Sequence, residues 1–242
     1  MIYNEKDFYK KSKELHAAVV NERYMNLCNS NSQINIISQF VFLFKQYYAS
    51  VEILLSNQQS SSIYPVARSA CECFSSIYKL IEASSSSSDF DETMKKEYQS
   101  NVSQLWRICK NLQAGEYRTK IFERIKKILI ELKEINGAEN DNEIINKCKS
   151  YSDNISEKVR DTFKNIPEYA TDEEAYKNLY PELCLYSHNN IDSIIERFFD
   201  KKEEGVVFNE LKVDNNKLAI MHMFVACANY ILKWVKKVCN YE

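Results

Sequence analysis

Glycine and proline are scarce in this chain of 242 residues, which has only Gly115, Gly137 and Gly205 and Pro65, Pro167 and Pro181. A β-rich fold of this length needs many tight turns, and those two residue types supply them. Long helices are what remains. The three glycines stand far apart, with no GxGxxG and no GKS or GKT, which excludes the nucleotide sites that such loops build. Histidine is equally sparse: His16, His188 and His222 fall on three separate expected helices, without HExxH or Cys/His ligand spacing. No metal and no cofactor is therefore expected, and without a GxSxG elbow no serine-hydrolase reading arises.

Neither sign of charge dominates. The chain carries 32 basic and 34 acidic side chains, a formal net charge of -2, so nothing drives the whole molecule toward nucleic acid or an anionic membrane. The most apolar stretch, Ile34 to Leu55, is broken by Gln39, Lys45, Gln46 and Glu52, and no membrane span is expected of it. The opening MIYNEKDFYKKSK lacks the apolar core of a signal peptide. The eight cysteines form no CxxC pair and read as reduced thiols used as small apolar residues. The expectation is a cytoplasmic protein, folded as one domain over residues 1–242, since 45% apolar and 27% charged residues are ordinary for a packed chain.

What is present is helical periodicity. Ile34, Ile37, Val41, Phe44, Tyr48, Val51 and Leu55 alternate steps of three and four, and so share one face of a helix over 33–55. Leu218, Met221, Val225, Ala228, Leu232, Val235 and Cys239 do the same over 216–239. Ile121, Ile125, Ile128, Leu132 and Ile135 form a third stripe, closed by Asn136 and Gly137. Caps and breakers supply the rest. Residues 62–83 carry Pro65 in a first turn, and the serine run 84–88 ends that helix as a flexible loop. Asp89 leads a helix to about 112, and another begins near Asn154 and ends before Pro167. Thr171 with Glu174 reads as a capping box for a helix that Pro181 kinks or restarts on its way to about 199. The fold class expected is all-α, an up-and-down bundle of six to eight helices, with a short strand pair admitted only near 205–213.

One constellation of polar residues stands out. Arg68 and Glu72 project from one helix face at i, i+4, beside Ser75 and Lys79. Tyr180, Cys184 and His188 also step by four and continue into Ile191 and Ile195, which places His188 on or beside an inward face. A buried histidine must find partners, because an unpaired buried polar group costs about 1–3 kcal/mol. The plainer readings stand beside this one: an exposed ion pair, and an interior histidine with a purely structural bond. Cys184 and His188, four residues apart, are helix neighbours before they are a catalytic pair.

Those same residues carry a resemblance. The run 47–80, YYASVEILLSNQQSSSIYPVARSACECFSSIYKL, is similar to the helix pair of an uncharacterised bacterial all-helical family, a domain of unknown function. In that family a long helix is followed by an Arg-x-x-x-Glu helix, and a later helix carries Tyr-x-x-Leu-Ser-x-x-x-His. Here the matching positions are Arg68 and Glu72, then Tyr180, Leu183 and His188, with Cys184 where the family usually has serine. The wider resemblance is to HEPN-type helical bundles (higher eukaryotes and prokaryotes, nucleotide-binding), which are often dimeric and frequent in bacterial toxin and phage-defence systems. Their ribonuclease members place an Arg and a His on one helix; here Arg68 and His188 would have to meet from two.

Three functions follow as expectations. The first is an RNA-cleaving or RNA-modifying effector of a defence or toxin type. In it, Arg68, Glu72, Tyr180 and His188 form a composite catalytic site that uses no metal, with RNA as substrate. The second is a non-catalytic bundle that binds a partner protein or itself as a homodimer, through the off-stripe Phe40, Phe42, Leu43 and Tyr47. The third is nucleic-acid binding without chemistry by the helix of Arg118, Lys120, Arg124, Lys126 and Lys127. There Glu116, Glu123, Glu131 and Glu134 interleave with the cations, which favours a solvated mixed-charge face.

Overall fold

A computed structural model describes residues 4–57, 62–137, 140–151, 154–187, 199–202, 205–208 and 210–240. The described residues are overwhelmingly helical, an all-α multi-helix bundle. In chain order the helices are α1 (Glu5–Val19), α2 (Glu22–Ser30), α3 (Ser32–Ser56), α4 (Ile63–Ala83), α5 (Ser87–Asn111), α6 (Glu116–Glu131), α7 (Asp141–Ser150), α8 (Ile155–Phe163) and α9 (Glu173–Ser187), followed by α10 (Glu210–Val238). Between α9 and α10 the backbone makes one antiparallel pair, β1 (Phe199–Lys202) with β2 (Gly205–Phe208), Phe199 opposite Phe208 and Lys202 opposite Gly205. Of the segment 205–213 only its first four residues are strand; from Glu210 onward the chain is already α10.

Contacts sort the chain into two units, residues 1–81 with 156–242, and Glu82–Ile155. The first unit is built around aromatic rings from five helices. Phe8 of α1 stacks on Tyr48 of α3 at 4.7 Å between centroids, and Phe224 of α10 meets Tyr48 at 5.0 Å and Phe44 at 5.5 Å. Phe74 of α4 lies 6.0 Å from Phe44 and 5.7 Å from Phe163 of α8. Each such pair adds about 0.5–1.5 kcal/mol beyond the area it buries. The Tyr48 hydroxyl is not left unpaired in this core: it donates to the Phe8 carbonyl at 2.9 Å.

The apolar stripes account for which faces turn inward. Ile37, Val41, Phe44, Tyr48 and Val51 of α3 are buried, and α10 buries residues nearly all round, from Ile220 through Met223, Val225, Cys227 and Ile231 to Val235. The stretch Lys217–Val238 is long and apolar enough to cross a membrane, yet 67% of its most apolar window is buried inside the fold, as in a core helix. On α4 the buried set is broader than one stripe and includes Ala67, Ala70, Cys71, Phe74, Ser75 and Ile77, which makes it a central helix.

The second unit packs α5, α6 and α7 around Val102, Cys109, Ile121, Ile125, Ile128, Leu129, Ile144 and Cys148. Here α6 stops about one turn before the expected Asn136–Gly137 cap. Lys133 takes the left-handed conformation at φ 57°, and the Glu134 N–H donates back to the Leu129 carbonyl, a Schellman-type closure. Other boundaries differ as well. Ser86, inside the supposed flexible serine run, is the N-cap of α5, and the side chain that caps α9 is Asp172, accepting from the Ala175 N–H, not Thr171. Helix α9 runs through Pro181 without restarting and is described as far as Ser187.

Candidate functional site

Helix α4 presents Arg68 and Glu72 one turn apart, and α9 brings Tyr180 against them. Arg68 Nε donates to Glu72 Oε1 at 3.2 Å, and the Tyr180 hydroxyl donates to that same oxygen at 2.6 Å. The guanidinium carbon of Arg68 lies 5.8 Å from the centre of the Tyr180 ring, within range of a cation–π attraction. Three of the four residues singled out in the sequence therefore meet. His188 lies outside the described residues.

Burial divides the labour. Tyr180 is 6% exposed, while the side chains of Arg68 and Glu72 keep 34% and 30% of their surface in solvent. Burial, and then donation to the Glu72 carboxylate, push the Tyr180 phenol far above its ordinary range, so it stays a neutral donor. The ion pair is made through Nε, and the Tyr180 hydroxyl also bonds the guanidinium; the third of the Arg68 side chain that stays in solvent is where a guanidinium can offer N–H groups to phosphate. The arrangement can hold an anion at Arg68 and fix the guanidinium plane through Glu72 and Tyr180. The Tyr180 hydroxyl, shared between Glu72 and Arg68, fixes the position of both.

The structure adds neighbours that periodicity alone did not select. On the seam between α3 and α4, the Tyr47 phenol is raised above its ordinary range by burial and then by the nearby Cys73 and Glu72. The same seam is marked by Cys73 Sγ, which contacts the Phe40 carbonyl of α3 at 3.3 Å. Tyr47 belonged to the off-stripe aromatics of α3; their position was readable, but not the helix they would face. Cys184, one turn beyond Tyr180, is only partly buried, whereas the other cysteines are buried free thiols. It lies close enough to Arg68 and Tyr180 to act on both electrostatically. A turn further along α4, Lys158 of α8 donates to Ser76 Oγ at 2.9 Å.

The remaining candidates separate from this site. His16 sits in the last turn of α1, and His222 on α10 packs edge-on to Tyr169 at 5.4 Å, its pKa lowered by burial against an opposing pull from Glu168. Among the described residues no three His, Cys, Asp or Glu side chains gather as a metal site. On α6, Lys120 pairs with Glu116 at 2.5 Å and Lys127 approaches Glu131 at 3.9 Å, both pairs well exposed.

Residues 35–206, well over half of the chain, match a family described as a family of unknown function (DUF5677). The chain belongs to the DUF5677 family. No curated protein and no solved structure matches it. The DUF5677 span begins inside α3 and takes in Tyr47, Arg68, Glu72, Lys158, Tyr180, Cys184 and His188, together with the whole of the α5–α7 unit. It leaves out α1, α2 and the whole of α10, helices that supply core and no part of the polar site.

Proposed function

We propose that this DUF5677 protein is an RNA-directed effector of a bacterial defence or toxin type, with a composite site on α4 and α9. The observation that carries the reading is the shared oxygen of Glu72, which accepts from Arg68 at 3.2 Å and from Tyr180 at 2.6 Å while Arg68 stays one third exposed. A carboxylate used in this way aims a cation, and an aimed guanidinium stabilises charge that develops on a phosphate in the transition state. His188, which follows the last described residue of α9, is assigned the proton transfer as general acid or base. The chemistry is given to side chains, with the ribose 2′-hydroxyl attacking the adjacent phosphorus as its proton leaves. The 5′-oxygen departs with a proton and a 2′,3′-cyclic phosphate remains. Tyr180 and Glu72 are positioning residues in this scheme.

The test is degradation of cellular RNA by the purified protein in the presence of a chelator. Arg68→Ala and His188→Ala are each expected to lose at least a hundredfold in rate, in line with general acid–base and charge-stabilising roles. Full activity in either variant, or an inactive wild-type protein, overturns the assignment.

A second reading, a non-catalytic bundle that self-associates as a homodimer, rests on α3. Leu43 and Ile53 are 44% and 61% exposed on a helix whose opposite face fills the core. Sedimentation at micromolar concentration separates the two: a strict monomer removes self-association.

A further inference from the structure

The polar ridge of α4 does not end at Glu72. Arg68, Glu72 and Ser76 follow each other at four-residue steps, and so line one face of the helix. Each of the last two is met from another helix, Glu72 by Tyr180 of α9 and Ser76 by Lys158 of α8. Ser76 is 6% exposed, and its hydroxyl also reaches the Glu72 carbonyl at 3.4 Å, so it is a fixed acceptor for the lysine ammonium. The eight residue steps from Arg68 to Ser76 span about 12 Å of helix axis at 1.5 Å per step. Along that length the charges read cation, carboxylate, cation.

We propose that Lys158 is a second phosphate contact, so that the site takes two phosphates of one RNA strand, with the intervening ribose at Glu72. The inference rests on Arg68 being the first phosphate contact, as argued above. Two helical turns between the two seats suit two phosphates of a strand better than one. A phosphate is repelled at the height of Glu72, whereas a ribose hydroxyl is a donor that a carboxylate oxygen accepts. That places the group by which a protein tells RNA from DNA beside the one carboxylate on the ridge. The buried seat of Lys158 on Ser76 sets the ammonium at a fixed height, which a freely moving surface lysine would lack.

The experiment uses the full chain carrying His188→Ala, to stop turnover, and follows binding of a fluorescent oligouridylate and its deoxy counterpart over a range of salt. Tighter binding of the ribo-oligomer is expected. Adding Lys158→Gln should weaken both oligomers and lower the slope of log affinity against log salt by about 0.7, the loss of one single-strand phosphate contact. Lys158→Arg should restore the slope. Independently of any variant that perturbs folding, bound oligouridylate should protect Lys158 from acetylation by acetic anhydride, read by mass spectrometry. If Lys158→Gln leaves affinity and slope unchanged while Arg68→Gln abolishes binding, or Lys158 is labelled equally with and without RNA, Lys158 is no contact and the Arg68 reading survives. Equal affinity for the two oligomers removes the ribose from Glu72. Absence of binding to either oligomer overturns this inference and the RNA reading together.

Discussion

Two carboxylates do related work by different means. Glu72 joins α4 to α9 by accepting from a guanidinium and a phenol, and stays 30% exposed. Glu134, with 14% of its side chain exposed, sits between Lys95 of α5 at 2.9 Å and Lys147 of α7 at 2.5 Å, and takes a further bond from Gln99 at 3.3 Å. Bonds from Lys147 and then Lys95 hold the Glu134 carboxyl down at about 2, against an ordinary 4.5. A depressed carboxyl contributes stability that is fully present above pH 4.5 and is lost as pH falls through 2, because the unfolded chain takes up the proton first. The urea midpoint of the α5–α7 unit should therefore fall between those pH values, and Glu134→Gln should flatten that fall while lowering the plateau near neutrality; parallel pH profiles for the two proteins would remove Glu134 from the account. At this scale the sequence disclosed the Arg68–Glu72 pair through its i, i+4 spacing and Tyr180 through its inward face. It did not disclose Glu134, read only as part of a mixed-charge helix, because its partners come from helices 35 residues upstream and 13 downstream. Tyr47 escaped for the same reason: periodicity gives a side chain its direction and leaves its partner open.

Among the elements, the long amphipathic helices were legible and the short polar ones were not. The stripes of α3, α6 and α10 predicted buried residues well, with Leu218, 40% exposed at the start of its stripe, as an exception. Helices α1, α2 and α7 were missed, since each holds its place through two or three buried residues, such as Tyr24 and Cys28 of α2 or Ile144 and Cys148 of α7. Their signal was at the ends. Asn4, Asn21, Asn31 and Asn140 are all N-caps, and Asn4 and Asn140 complete capping boxes with Asp7 and Glu143. At the other end of a helix, Lys133 closes α6 at φ 57°, a conformation that costs a residue with a Cβ roughly 1 kcal/mol or more and glycine almost nothing. Lys133→Gly should thus stabilise the α5–α7 unit by about 1 kcal/mol, read as an increase in urea midpoint with an unchanged slope. A decrease would mean that the Lys133 side chain makes contacts worth more than the backbone strain it relieves.

On the scale of the whole molecule, the chain leaves one packed unit at Ile81, builds another through Ile155, and then completes the first. The sequence contains no glycine- or proline-rich linker at either crossing, and the nearest punctuation, the serine run, is largely the capped start of α5; a length of 242 residues gives no further hint. Each unit nevertheless has its own apolar cluster, one centred on Phe44, Tyr48 and Phe224, the other on Ile125 and Leu129. If the clusters are separate sources of cooperativity, a cavity in one should loosen only the helices that line it. Ile125 is fully buried, and truncating such a residue to alanine costs about 2–5 kcal/mol when its surroundings cannot collapse into the space. Ile125→Ala should accelerate amide hydrogen exchange throughout α5, α6 and α7 by a common factor, while the slowest amides of α3 and α10 keep their wild-type rates. The polar site on α4 and α9, built on the first cluster, should then keep, in the same variant, the RNA affinity proposed for it. Equal acceleration in all five helices would mean that the chain unfolds as one cooperative body, and that the α5–α7 cluster supports the Arg68 site as much as the aromatic core does.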